Sequence, residues 1–154
     1  MVIFYLDTSA LLKIYVNETG STWLRRTITT SNEIVLVTTE ILIEEVISAL
    51  NRCVRDETVT QDEYRRLAGG FRYDCHNRYN FIAFKDTIID TAWNLLERHP
   101  LRAYNAVHLS TAINVNQWMV LENEAPITFL SADDRLNQAA AKEGLLADNP
   151  NNHP

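Results

Sequence analysis

Val2-Ile3-Phe4-Tyr5-Leu6-Asp7-Thr8-Ser9-Ala10-Leu11-Leu12 is the stretch that decides the fold. Its first five residues form an unbroken apolar run rich in β-branched and aromatic side chains, as in a strand buried on both faces. Asp7, Thr8 and Ser9 follow at once. Each can accept a hydrogen bond from the free N–H groups of a helix start, and Ala10, Leu11, Leu12, Ile14 and Tyr15 then recur at helical spacing until Asn17 and Gly20 break it. A doubly buried strand that runs straight into a helix is the opening half of a parallel crossover.

The same alternation continues along the chain. Ser21 to Ile28 reads as a short helix and Ile34 to Val37 as a second strand, after which Thr38 and Thr39 open a long helix with Ile41, Leu42, Val46, Ala49, Leu50, Cys53 and Val54 on one stripe. Thr60 and Glu63 have the spacing of a capping box, so another helix starts there, with a bend expected at Gly69 and Gly70. Asn80 to Phe84 reads as a third strand, and Asp86 caps a helix that His99 and Pro100 end. A further helix is expected from Ala103 to Val115 and a fourth strand from Ile127 to Leu130. Ser131 to Asp134 then opens a last helix that Gly144 stops, and Leu145 to Ala147 is a candidate edge strand. Parallel neighbours need crossover connections, so the pattern implies an α/β fold: a three-layer α/β/α sandwich on a central, mainly parallel sheet of four or five strands. With 154 residues the chain is expected to form one domain over residues 1–148, with a loose tail at 149–154.

Composition narrows the functional classes. Lys and Arg number 14 and Asp and Glu 20, giving a formal charge of −6, so any contact with nucleic acid needs a local basic surface. No apolar stretch reaches the roughly 18 to 20 residues of a membrane span, and Asp7 interrupts the N-terminal apolar run, so a cytoplasmic protein without a signal peptide is expected. Cys53 and Cys75 lack the number and spacing of a disulfide framework or a zinc site. There is no P-loop and no glycine-rich dinucleotide fingerprint.

Acidic residues stand where strands end. Asp7 follows the first strand, and Asp133 and Asp134 lie just after the fourth. In open parallel sheets ligands bind beyond the carboxyl ends of the strands, so these carboxylates are expected on one rim. Each could instead serve only as a helix cap. Glu44 and Glu45 lie in the first turns of the long helix, and Leu42 and Val46 bracket Glu45 on its apolar stripe. A buried carboxylate without a partner is costly, and three carboxylates from distant segments suit a hard cation such as Mg²⁺ or Mn²⁺. His76, His99, His108 and His153 are scattered; His108, on an apolar helix, reads as a packed or hydrogen-bonded histidine rather than a ligand.

Four ordered pieces carry a family resemblance: Tyr5-Leu6-Asp7-Thr8-Ser9-Ala10-Leu11, Glu45-Val46-Ile47-Ser48-Ala49-Leu50, Leu101 to Leu109, and Phe129-Leu130-Ser131-Ala132-Asp133 with Arg135-Leu136. Together they resemble a PIN-domain ribonuclease of the VapC type, the toxin of a type II toxin–antitoxin pair. The resemblance implies a metal-dependent endoribonuclease in which Asp7, Glu45 and Asp133 bind Mg²⁺, with Mn²⁺ as a substitute, and support hydrolysis of RNA phosphodiester bonds. It also implies a cognate antitoxin that lays a segment across the acidic groove, and a homodimer, for which Trp23, Tyr64, Phe71 and Trp118 are interface candidates.

The family usually carries an Asp where this chain has Asn105. An amide supplies one neutral carbonyl oxygen in place of a carboxylate, so weaker metal binding and reduced or lost turnover are expected. A catalytically impaired PIN-fold module that binds RNA or antitoxin is the alternative. A phosphatase or receiver reading ranks below both, because Ser9 stands where a second Asp is needed. Thr8, Ser9 and Ser131 could hold the acids through their hydroxyls, though helix capping is the plainer reading. Lys13 and Arg102 are candidate RNA contacts beside the pocket, and Arg52, Arg55, Arg65, Arg66, Arg72 and Arg78 are candidate phosphate contacts along the middle helices.

Overall fold

Alternation along Val2–Leu6 (β1) sends Ile3 and Tyr5 into one core cluster and Phe4 and Leu6 into another, so the first strand is covered on both faces. In the computed structural model, which describes residues 1–154, β1 is the middle of five parallel strands. The others are Ile34–Thr39 (β2), Tyr79–Ile82 (β3), Thr128–Leu130 (β4) and Leu146–Asp148 (β5), in the spatial order β3-β2-β1-β4-β5.

Seven helices cover the sheet: Thr8–Tyr15 (α1), Ser21–Thr27 (α2), Leu42–Arg55 (α3), Gln61–Asn77 (α4), Asp86–Arg98 (α5), Ala103–Leu121 (α6) and Asp134–Lys142 (α7). Helices α1 to α4 supply Leu11, Leu24, Leu42, Leu50 and Phe71 to the cluster on the Leu6 face, and α5 to α7 supply Leu95, Leu109 and Leu136 to the cluster on the Tyr5 face. The three-layer α/β/α architecture follows. Chain order runs from β1 to β2 on one side, while β4 lies on the other, so the crossovers diverge between β1 and β4. The carboxyl ends of these two strands, in register at Leu6 and Leu130, therefore flank the switch point of the sheet.

Several local expectations are corrected. Thr38 and Thr39 end β2 instead of opening α3: both are buried, and the Thr38 hydroxyl donates to the Leu6 carbonyl at 2.8 Å. Helix α3 starts at Leu42 with no side-chain cap. The capping box at Thr60 and Glu63 is formed, and α4 passes through Gly69 and Gly70 as one helix. Asp86 is the first residue of α5, after Lys85, and makes no capping bond. Helix α6 does not end at Val115 but runs on to Leu121. The Asn114 amide turns back to the Ser110 carbonyl, and the Asn116 side chain accepts from the Ile127 backbone, so neither asparagine ends the helix.

The residues expected to form a loose tail are packed. Pro150–Asn152 form a 3-10 turn, capped by the Asn149 side chain, and the His153 ring stacks on Trp23 at 4.0 Å between centroids. Gly20 (φ +80°) allows this approach, since a Cβ there would come within 2.1 Å of the Pro150 carbonyl oxygen. Of the proposed interface residues, Phe71 belongs to the core, Tyr64 packs against it, Trp23 is half-buried under His153, and Trp118 is exposed.

Candidate active site at the carboxyl ends of the central strands

Asp7 is the first residue beyond β1 and is the N-cap of α1, where its Oδ1 accepts from the Ala10 backbone at 2.9 Å. Its side chain is only 4% exposed. Two hydroxyls complete its surroundings: Ser9 Oγ donates to Oδ1 at 2.8 Å, and Ser131 Oγ donates to Oδ2 at 2.7 Å. Burial pushes the Asp7 carboxyl above the usual carboxylate range, against the opposing influence of His108 and these hydrogen bonds. The site thus holds a desolvated acid with donors around it and no basic side chain in ion-pair contact.

Asp133 caps the other helix at this rim. Its Oδ1 accepts from the backbones of Arg135 at 2.9 Å and Leu136 at 3.2 Å, while its own N–H donates to Ser131 Oγ at 3.0 Å. Asp133 Oδ2 accepts from the Asn105 amide at 3.2 Å. Asn105, in the first turn of α6, thus meets Asp133 as a hydrogen-bond donor.

Glu45 comes from the first turns of α3. Leu42 and Val46 beside it are buried, Glu44 is exposed, and Glu45 is half-buried, as the stripe implied. Its Oε2 accepts from Thr8 Oγ1 and from His108 Nε2, the latter at 2.8 Å. Burial works to raise the Glu45 carboxyl, but the His108 and Thr8 contacts outweigh it and hold the group below the usual range. His108 is 1% exposed and its Nδ1 lies 3.1 Å from the Tyr5 hydroxyl.

The hydroxyls of Thr8, Ser9 and Ser131 bond to the acids, the less plain of the two roles the sequence left open, and Asp7 and Asp133 supply the helix caps. One feature escaped the sequence. The pairing of His108 with Glu45 joins residues 63 positions apart, and the sequence holds no local signal for it. Lys13 is also misplaced by the sequence: its side chain is buried and paired with Glu18 at 3.2 Å, away from any RNA-facing role. Arg102 is exposed at the start of α6 and makes no capping bond.

As the side chains stand, no three His, Cys, Asp or Glu groups surround one point closely enough to hold a metal ion. The donor set nevertheless suits a hard cation in kind. It offers carboxylate and amide oxygens without thiolate, and Asp7 carries a desolvation cost that a cation would relieve. Both hydrogen bonds to Glu45 end on Oε2, which leaves Oε1 without a protein donor. Binding would have to draw these oxygens together.

No curated protein matches the chain significantly. Among solved structures it is similar to VapBC2 from Rickettsia felis bound to a DNA fragment from its promoter, at TM-score 0.64 and 13% identity, covering 96% of this chain and 98% of that one. FitAcB from Neisseria gonorrhoeae gives TM-score 0.63 at 10% identity, over 96% of this chain and 97% of that one. VapC20 from Mycobacterium tuberculosis, described as a sarcin-ricin loop cleaving toxin, gives 0.62 at 15%, over 93% and 96%. At these identities the likeness is one of fold. The sequence itself matches the PIN domain over residues 4–142, and with most of its length inside that match the chain belongs to the PIN-domain family.

Proposed function

We propose that the chain is a VapC-type endoribonuclease toxin that hydrolyses RNA phosphodiester bonds with a divalent cation and is neutralised by a cognate antitoxin. The observation that carries this reading is the bond from Ser131 to Asp7 at 2.7 Å, which ties together the two acidic strand ends, with no Lys or Arg paired to Asp7, Glu45 or Asp133. Membership of the PIN-domain family and the shared fold with VapBC2 and VapC20 support it. Asp7, Glu45 and Asp133 would hold Mg²⁺, or Mn²⁺ in its place, with the neutral oxygen of Asn105 beside them. Such a cation, when bound, offsets phosphate charge and makes water a better nucleophile.

The chain's own residues orient this chemistry. Ser9, Ser131 and the Ala10 N–H fix the Asp7 carboxylate, and the α7 backbone fixes Asp133. The antitoxin partner would answer the same acids with an Arg or Lys side chain, a charge-assisted contact that competes with metal. A homodimer and a cytoplasmic site of action belong to this reading, and no helix is long and apolar enough to cross a membrane.

Asn105 favours a second reading, a PIN-fold module that binds RNA or antitoxin without cutting. Its amide already donates to Asp133 Oδ2, so that oxygen is partly satisfied without a cation. The test is cleavage of structured RNAs by the purified chain and by Asn105→Asp, each with Mg²⁺, Mn²⁺ or EDTA. Metal-dependent cutting by the native chain supports the nuclease, cutting by Asn105→Asp alone supports an impaired one, and cutting by neither supports the binding module. Cutting that survives EDTA contradicts the metal-dependent mechanism.

A further inference from the structure

Four elements meet at Glu45: α3 carries it, α1 supplies Thr8, α6 supplies His108, and β1 supplies Tyr5 behind the imidazole. The direction of each bond can be worked out. Thr8 donates its single hydroxyl hydrogen to Glu45 Oε2, so its oxygen, 3.2 Å from His108 Nε2, can only accept there. Nε2 therefore faces two acceptors, the Thr8 oxygen and Glu45 Oε2 at 2.8 Å, and must carry a hydrogen. Nδ1 faces the Tyr5 hydroxyl at 3.1 Å. A phenol hydroxyl can both donate and accept, so Tyr5 can hold Nδ1 in place.

We infer that His108 is a positioning residue for Glu45: backed by Tyr5 at Nδ1 and with its Nε2–H aimed at the carboxylate, it pins Oε2 and leaves Oε1 as the oxygen presented to a divalent cation. The inference rests on the reading of Glu45 as a cation ligand. Its geometric support is independent of that reading. The Tyr5 ring stacks on Phe129, with centroids 5.5 Å apart and planes at 13°, and meets the His108 ring edge-on at 6.1 Å and 80°. Tyr5 and His108 are both buried, so the imidazole has no room to reorient. A histidine present only to fill space would not need its polar edge aimed at the carboxylate of another helix. Partners of this kind set the rotamer and the free lone pairs of a ligand before the ion arrives.

The test uses the full chain and two readouts. In Mn²⁺ titrations followed by electron paramagnetic resonance, His108→Leu loses roughly 10- to 100-fold in affinity. His108→Gln, whose amide nitrogen can occupy the Nε2 position, recovers most of that loss, and thermal melts identify any variant that fails to fold. Equal affinity of His108→Leu and the native chain, or no recovery in a folded His108→Gln, overturns the inference. The second readout, ¹⁵N NMR of labelled histidine, needs neither metal nor a folded variant at position 108. The native ring is expected to carry a hydrogen on Nε2, with an Nε2 resonance that moves in Glu45→Gln and an Nδ1 resonance that moves in Tyr5→Phe. A ring whose Nε2 carries no hydrogen, or carries it only in part, or an Nε2 signal indifferent to Glu45→Gln, overturns it. A native chain that binds no Mn²⁺ overturns it as well, and there the expected NMR pattern marks the failure as that of the cation reading, with the His108–Glu45 contact itself intact.

Discussion

Ser131 Oγ stands 2.7 Å from Asp7 Oδ2 and 3.0 Å from the Asp133 backbone nitrogen, so one buried hydroxyl joins the acids at the ends of β1 and β4. It donates to one and accepts from the peptide of the other. The spacing of the two acidic segments is therefore set by a side chain whose loss would leave the Asp133 N–H without its partner and Asp7 Oδ2 with only the longer contact, 3.0 Å, from Ser9 Oγ.

Ser131→Ala is expected to destabilise the fold by about 1–3 kcal/mol, the usual cost of leaving buried groups without a hydrogen-bond partner. Urea unfolding measures it. Divalent-cation affinity should fall in the same variant, because Asp7 Oδ2 loses its fixed orientation.

The two best-defined acids predict opposite responses to pH in the absence of metal. Asp7 has a raised folded-state pKa, so the folded chain binds its proton more tightly than the unfolded chain, and its contribution to stability falls as pH rises from the unfolded value through the folded one. Glu45 has a lowered one, so its contribution is present above the unfolded value and is lost as pH falls through the folded value. In metal-free protein at neutral pH, Asp7→Asn should melt higher than the native chain and Glu45→Gln lower, and both differences should shrink on acidification. Calorimetric melts from pH 7 downward check both signs.

Gly20→Ala is expected to cost about 1–3 kcal/mol, since it imposes a left-handed backbone on a residue with a Cβ, and that Cβ would meet the Pro150 carbonyl. Removing residues 149–154 from the same variant should relieve the clash but not the backbone strain. Thermal melts of the four combinations separate the two effects.

How much of this was legible in the sequence depends on how local each signal is. The step from Leu6 to Asp7 lies within one segment, so the strand, the helix and the acid at their junction could all be read, and the place of Glu45 followed from Leu42 and Val46. The contacts that shape the site are not local: Ser131 reaches Asp7 across 124 positions, and His108 reaches Glu45 across 63. Nothing in composition or periodicity says which way such hydroxyls and rings point. Thr38 was misread because a threonine before an apolar stripe resembles a cap, whereas its hydroxyl satisfies the Leu6 carbonyl within the sheet. The tail was misread because its Asn and Pro composition suggests a free end, and the glycine that receives it is 130 residues upstream of Pro150.

Asn105→Asp would replace the amide that donates to Asp133 Oδ2 at 3.2 Å with a second carboxylate. In metal-free protein this substitution should lower stability through like-charge repulsion. Mn²⁺ affinity should rise at least tenfold, equivalent to about 1.4 kcal/mol, because the cation then answers one more negative charge. Paired melts and metal titrations of the two chains check this.

The central claim is that Asp7, Glu45 and Asp133 hold one divalent cation between them. An anomalous difference map from crystals of the native chain soaked in Mn²⁺ tests it most directly. A single strong peak in coordination distance of Asp7, Glu45 and Asp133 oxygens, with Glu45 contributing Oε1, is the predicted result. Saturating Mn²⁺ that leaves these carboxylates bare, or that settles only elsewhere on the surface, would contradict it.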